Sequence, residues 1–122
     1  MKFHDYSLEE YSVRIHGALI SLHLLRDTES SEIEFSEVIL YHFIHTGGAI
    51  ITEIMEVPVG RMVDGKKDLI SEWSRMHGGI QHWNGDHASF ISKISSLGYR
   101  AWSVESAIGF EAFIIGKEIK QK

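Results

Sequence analysis

Alternation of apolar and polar residues recurs along this chain, and it is the pattern of a half-buried β-strand. Residues 10–25 alternate in two runs, and we expect Gly17 to form a turn or bulge between them. Residues 32–45 alternate at first and then become almost continuously apolar. That change predicts either a bulge near Ser36 and Glu37 or a strand with both faces buried.

Glycine and proline divide the rest of the β pattern. Thr46-Gly47-Gly48 joins two β-branched runs and predicts a hairpin, because glycine accepts positive φ at both central positions of a tight turn. Pro58 should end the strand that follows, since it cannot donate to a ladder. Towards the end of the chain, residues 107–109 are expected to separate two further strands, residues 99–106 and 110–119.

Between these strand regions the apolar spacing changes to three and four residues, which indicates helices. One helix is predicted to begin near Lys66 and to end before Gly78. A second should cover residues 86–97, with Asp86 as its N-cap and Gly98 as its left-handed stop. The apolar face of this second helix consists of Phe90, Ile91, Ile94 and Leu97.

The order of strands, helices and strands predicts an α+β fold. We expect a single domain over residues 1–122, with an antiparallel or mixed sheet of about five to six strands and two helices between residues 62 and 98. A chain of 122 residues is long enough to stabilise one core without disulfides or metals.

Composition excludes several kinds of chemistry. The chain has no cysteine, which rules out disulfides, a thiolate nucleophile and a cysteine zinc site. Its first residues lack the apolar segment of a signal peptide, and no apolar run approaches the roughly 18 to 20 residues of a membrane span. We therefore expect a cytoplasmic protein without a membrane partner.

The formal charge of −5 is unevenly distributed. Residues 27–60 contain no lysine or arginine and carry seven acids: Asp27, Glu29, Glu32, Glu34, Glu37, Glu53 and Glu56. Such a segment would repel nucleic acid and attract a basic partner, raising the association rate above all. A solvated sheet face that keeps the protein in solution is the other interpretation.

These charges suggest a protein partner and no nucleic-acid partner. Trp83 lies in a loop that contains glycine and asparagine, where we expect it to be exposed and able to contact the partner. The predicted partner-binding residues are therefore Asp27, Glu29, Glu32, Glu34, Glu37 and Trp83.

Eight histidines raise the question of a metal site. His42 and His45 are three residues apart on a predicted strand, so they should face opposite sides and not chelate. His77, His82 and His87 recur every five residues in an irregular region, where they are candidate ligands of a zinc ion with one open position. Alternatively, these histidines bind no metal, and His77 lies at a helix C-terminus while His87 lies in a first helical turn at the surface.

The sequence lacks the common catalytic and nucleotide-binding motifs, so we do not expect an enzyme. The chain has no G-x-S-x-G nucleophile elbow, no P-loop and no G-x-G-x-x-G turn. We predict no catalytic residue and no cofactor, and we keep a small metal-dependent hydrolase using the three histidines as an alternative.

Residues 32–37, 50–54 and 109–115 form acidic and β-branched strand segments. With these segments the chain as a whole resembles the small cytoplasmic immunity proteins of bacterial toxin–immunity systems, including those of contact-dependent growth inhibition. The resemblance implies tight, non-catalytic binding to a toxin domain, often a basic nuclease whose active site is covered by an acidic surface. Immunity proteins share no common site, so the resemblance assigns no residue. A homo-oligomer with apolar strand faces buried between copies is a further alternative.

Overall fold

A six-stranded antiparallel sheet, curled into a half-barrel, dominates the fold. The computed structural model describes residues 1–16 and 18–122, so the turn or bulge predicted at Gly17 lies outside the described residues. The strands, in chain order, are β1 (Lys2–Arg14), β2 (Leu19–Arg26), β3 (Glu29–Ser36), β4 (Leu40–Val57), β5 (Arg100–Gly116) and β6 (Glu118–Gln121). Their order across the sheet is β5-β4-β1-β2-β3-β6.

Three helices connect β4 to β5: α1 (Val59–Gly65), α2 (Lys67–Met76) and α3 (His87–Ser96). The α+β class and the antiparallel sheet agree with the prediction, whereas the expectation of two helices between residues 62 and 98 is wrong. The additional helix, α1, begins with a bond from the Met62 amide to the Pro58 carbonyl. Two of its seven residues are glycine, so local propensity is poor and burial of Met62 and Val63 stabilises it.

The two later helices lie where the sequence predicts them. α2 begins at Lys67, and the Asp86 side chain caps α3 by accepting a hydrogen bond from the Ser89 amide. Gly98 has φ +87° and ends α3 in the left-handed conformation. Within the described residues, no helix combines the length and apolar character needed to cross a bilayer.

The predicted strand breaks are wrong at two positions. Thr46-Gly47-Gly48 is not a hairpin, because β4 continues through it, and residues 107–109 do not divide β5. Both segments are irregularities in one long ladder, which loses register between His45 and Ile50. A glycine pair accepts the positive φ of a bulge as readily as that of a turn, so the local pattern cannot separate the two.

Two apolar cores lie on opposite faces of the β4–β5 ribbon. We call the one inside the half-barrel the inner core and the one between helices and ribbon the helix core. Ile114 faces the inner core, whereas Phe113 and Ile115 face the helix core.

The run predicted as one strand over residues 32–45 is divided in the structure. β3 ends at Ser36, Glu37 adopts φ +49°, and β4 begins at Leu40. The apolar residues at this break face different cores, since Val38 packs against the inner core and Leu40 in the helix core.

Candidate functional site

The acidic residues of β3 lie on its outer face. Ile33 and Phe35 are fully buried in the inner core, so Glu32 and Glu34 project from the opposite side, as the alternation predicts. Among the described residues, no helix makes extensive contact with β3, and both glutamates are half-buried. The outer face of β3 is therefore a polar, accessible surface.

A lysine from the end of the chain partly neutralises this surface. β6 pairs with β3, which brings Lys122 to Glu34 with 2.7 Å between Nζ and Oε2. The hydrogen bond from Lys122 lowers the pKa of Glu34 below its usual value, and Glu34 raises the pKa of Lys122. The sequence places these residues 88 positions apart, so local charge counting could not anticipate the pair.

Two more acids of the predicted surface have basic neighbours. Oε1 of Glu32 lies 3.8 Å from Nε2 of His23 on β2, and Oε1 of Glu37 lies 4.0 Å from Nζ of Lys117. The exposed Glu37–Lys117 pair contributes little to stability, but it reduces the field that a partner meets, whereas His23 does so only when it is protonated. The acidic segment is therefore weaker electrostatically than its sequence alone indicates.

The turn between β2 and β3 keeps its negative charge. Asp27 adopts φ +54°, and the Glu29 carboxylate accepts a hydrogen bond of 2.9 Å from the Tyr6 hydroxyl. This bond raises the pKa of Tyr6. Among the described residues, neither Asp27 nor Glu29 forms an ion pair. Arg26 directly precedes Asp27 and pairs with Glu29 across the β2–β3 ladder, so the turn carries two acids and one base without a formed ion pair among the described residues.

The Trp83 side chain packs against other residues and is not fully exposed on its loop. Its ring centroid lies 5.4 Å from that of Phe90 and 4.7 Å from that of His87, both in edge-on geometry, and the indole packs against the helix core. The expectation of an exposed Trp83 is wrong, because this large ring covers the first turns of α3. The structure places Trp83 in the helix layer and the acids of β3 in the sheet.

The three candidate metal ligands occupy separate environments. His77 caps the C-terminus of α2, and the ring of His82 lies 5.9 Å from that of Tyr99. His87 contacts the Ser71 hydroxyl through Nε2 at 2.9 Å, and its Nδ1 is buried without a partner. Over residues 1–16 and 18–122, no three histidine, aspartate or glutamate side chains are arranged to hold a metal ion.

His42 and His45 also lie apart, on opposite faces of β4 as predicted. The ring of His42 lies 5.2 Å from Trp73 on the helix side, whereas that of His45 lies 5.8 Å from Tyr11 on the barrel side. Each ring packs on an aromatic neighbour of its own layer.

An exposed apolar surface at the end of the half-barrel was not anticipated from the sequence. Tyr11, Val13, Ile15 and Tyr41 are exposed to between 36% and 92%, and we call these four residues the apolar patch. Phe43 connects its two tyrosines, with ring centroids 5.1 Å from Tyr11 and 5.3 Å from Tyr41. Alternation predicts that Tyr11 and Val13 share one face of β1, but it does not show that this part of the face is exposed.

Comparison with family models, with characterised proteins and with solved structures found no match for this chain.

Proposed function

We propose that this chain is a non-catalytic protein-binding domain that acts as an immunity protein, covering a basic, nuclease-like toxin domain. The observation that carries the proposal is the apolar patch. Val13, Ile15 and Tyr41 line one shallow groove, and Ile15 is 92% exposed. Contiguous exposed apolar residues are typical of protein interaction sites, and tyrosine is enriched among the residues that dominate binding energy.

In this proposal the acidic segment has a second role, which is to attract the partner. Among the described residues Asp27 and Glu29 form no ion pair, although Arg26 adjoins both, whereas Glu34 and Glu37 are partly offset by Lys122 and Lys117. Long-range attraction raises the association rate, and buried apolar contacts slow dissociation. The two surfaces therefore predict different kinetic effects, which makes them separable by experiment.

The test uses the partner captured from the native cell and measures both rate constants at two salt concentrations. Tyr41→Ser in the patch should accelerate dissociation and leave association nearly unchanged. The double variant Asp27→Asn, Glu32→Gln should slow association at low salt, and the difference should shrink when salt screens charges over about 8 to 10 Å.

A matched double variant, Asp64→Asn with Asp68→Asn, removes the same charge from the exposed surface of the helix layer. If it slows association equally, net charge and not the acidic segment attracts the partner. If no variant changes either rate constant, the proposed surfaces are wrong.

The patch also allows a direct test of the homo-oligomer alternative. Sedimentation of the free chain over a range of concentrations would show self-association. A dimer that Tyr41→Ser dissociates would favour a homo-oligomer over the immunity function.

A further inference from the structure

A small cavity opens on the outer face of the β4–β5 ribbon, beside α1. Ser103 and Glu111 both line it, although they are eight positions apart on β5 and would be separated by about 27 Å in a straight strand. The bulges at 45–50 and 106–110 must therefore bend the ribbon around the cavity. Its apolar walls include Met62 and Phe113, whose buried side chains belong to the helix core.

Lys66 is directed into this cavity by the junction between α1 and α2. Its amide bonds to the carbonyls of both Met62 and Val63 at 3.1 Å, which fixes the backbone where one helix ends and the next begins. Its ammonium lies 5.6 Å from the centre of the Phe113 ring, within the range of a cation–π contact. The cation is thus positioned by rigid elements and not by a loop.

His42 forms the adjoining wall. Its ring lies 5.2 Å from that of Trp73 and 6.2 Å from that of Phe113, its partner across the β4–β5 ladder. Aromatic neighbours on two sides restrict the orientation of the ring, and its nitrogens are the hydrogen-bonding groups that His42 contributes to this wall.

Acceptors complete the cavity. The Ser103 hydroxyl donates its proton to Oε1 of Glu105 at 2.6 Å. Its oxygen can therefore only accept a hydrogen bond from a ligand. The Glu111 side chain lies at the exposed rim. In the part of the chain that the structure describes, neither Lys66 nor Glu111 takes part in an ion pair, although both line the same cavity.

We propose that this cavity binds the head group of a small α-amino acid. The ligand carboxylate bonds to Lys66 and His42, and its ammonium bonds to Glu111 and to the Ser103 oxygen. The cavity volume of about 50 Å³ exceeds that of a single ordered water, which needs roughly 10–15 Å³. The side chain of the ligand extends out of the cavity mouth next to Ile44, which is 47% exposed. This site is independent of the proposed toxin-binding surfaces.

The probe is glycine, followed by backbone amide NMR, with acetate and methylamine carrying each charged end alone. Glycine should shift the amides of residues 42, 66, 103 and 111 and bind about tenfold more tightly than either single-charge probe, because both charge-assisted contacts form together. Absence of shifts at these four positions with millimolar glycine would overturn the proposal. Equal affinity for glycine and acetate would also overturn it, since that result indicates a simple anion site.

Variants then assign each end of the ligand. Lys66→Gln should weaken glycine and acetate about tenfold and leave methylamine unchanged, and Glu111→Gln should weaken glycine and methylamine but not acetate. Lys67→Gln and Glu72→Gln are matched controls on exposed positions of α2 that do not line the cavity. Glycine affinity that responds equally to variants and controls contradicts the site.

Discussion

Gly109 of β5 lies directly against the backbone of Gly48 of β4, so closely that a Cβ atom on Gly109 would overlap the Gly48 carbonyl oxygen. Gly109 also adopts φ +79°, a conformation that residues with side chains rarely take. The contact lets two bulges face each other in one ribbon. The ribbon can then bend without ending either strand, which brings Ser103 and Glu111 to one cavity.

Gly109→Ala is expected to destabilise the protein by about 2 to 5 kcal/mol, from backbone strain together with steric overlap. Gly79→Ala is the matched control, because Gly79 has a similar φ of +74° and no atom of the described residues lies within 4 Å of its Cβ position. The control should lose only the stability that backbone strain costs, about 1 to 2 kcal/mol. Urea unfolding of both variants measures the difference, and equal losses would show that the Gly48 contact does not constrain the fold.

Ile94→Ala should destabilise by about 2 to 5 kcal/mol, because Ile94 is fully buried in the helix core and its removal leaves a cavity. Leu97 was predicted on the same helix face but is 38% exposed. Leu97→Ala should therefore cost less than about 1 kcal/mol. Denaturant midpoints compare the two, and a larger loss for Leu97→Ala would contradict the packing of α3.

Asp86 should make the stability of α3 depend on pH. Hydrogen bonds from the Ser89 hydroxyl and amide lower the pKa of Asp86 below its usual 3.8. A carboxylate whose folded pKa is depressed stabilises the native state above the usual pKa and loses that effect as pH falls through the folded value.

Asp86→Ala should thus lower the melting temperature at neutral pH, and its deficit should shrink in acid. Asp86→Asn keeps a capping oxygen without a titrating group, so it separates the cap from the charge. Thermal unfolding across the acidic range gives the comparison. A deficit for Asp86→Ala that is the same at every pH would mean that the charge is irrelevant.

Zinc in slight excess should leave the melting temperature unchanged, because His77, His82 and His87 occupy separate environments and only a ligand of the native state raises stability. Differential scanning calorimetry with and without the metal measures this. An increase of several degrees that is absent in His82→Asn would instead support the metal-dependent hydrolase.

Local features of the sequence determined much of the architecture. The Asp86 cap and the Gly98 stop define α3, and the alternation around Ile33 and Phe35 identifies the buried face of β3. Caps and periodicity depend on residues within one turn or one strand, so they can be recognised without knowing the fold.

The long-range pairing of strands and the packing of loop residues were decided by the tertiary structure alone. Whether Gly47 and Gly48 formed a turn or a bulge depended on which strand lay opposite, since glycine suits both conformations. The pairing of β6 with β3 brought Lys122 to Glu34, and the packing of α3 turned Trp83 from a predicted surface residue into a core contact. These outcomes arise from contacts between residues distant in sequence, and no local pattern encodes which distant partner each residue meets.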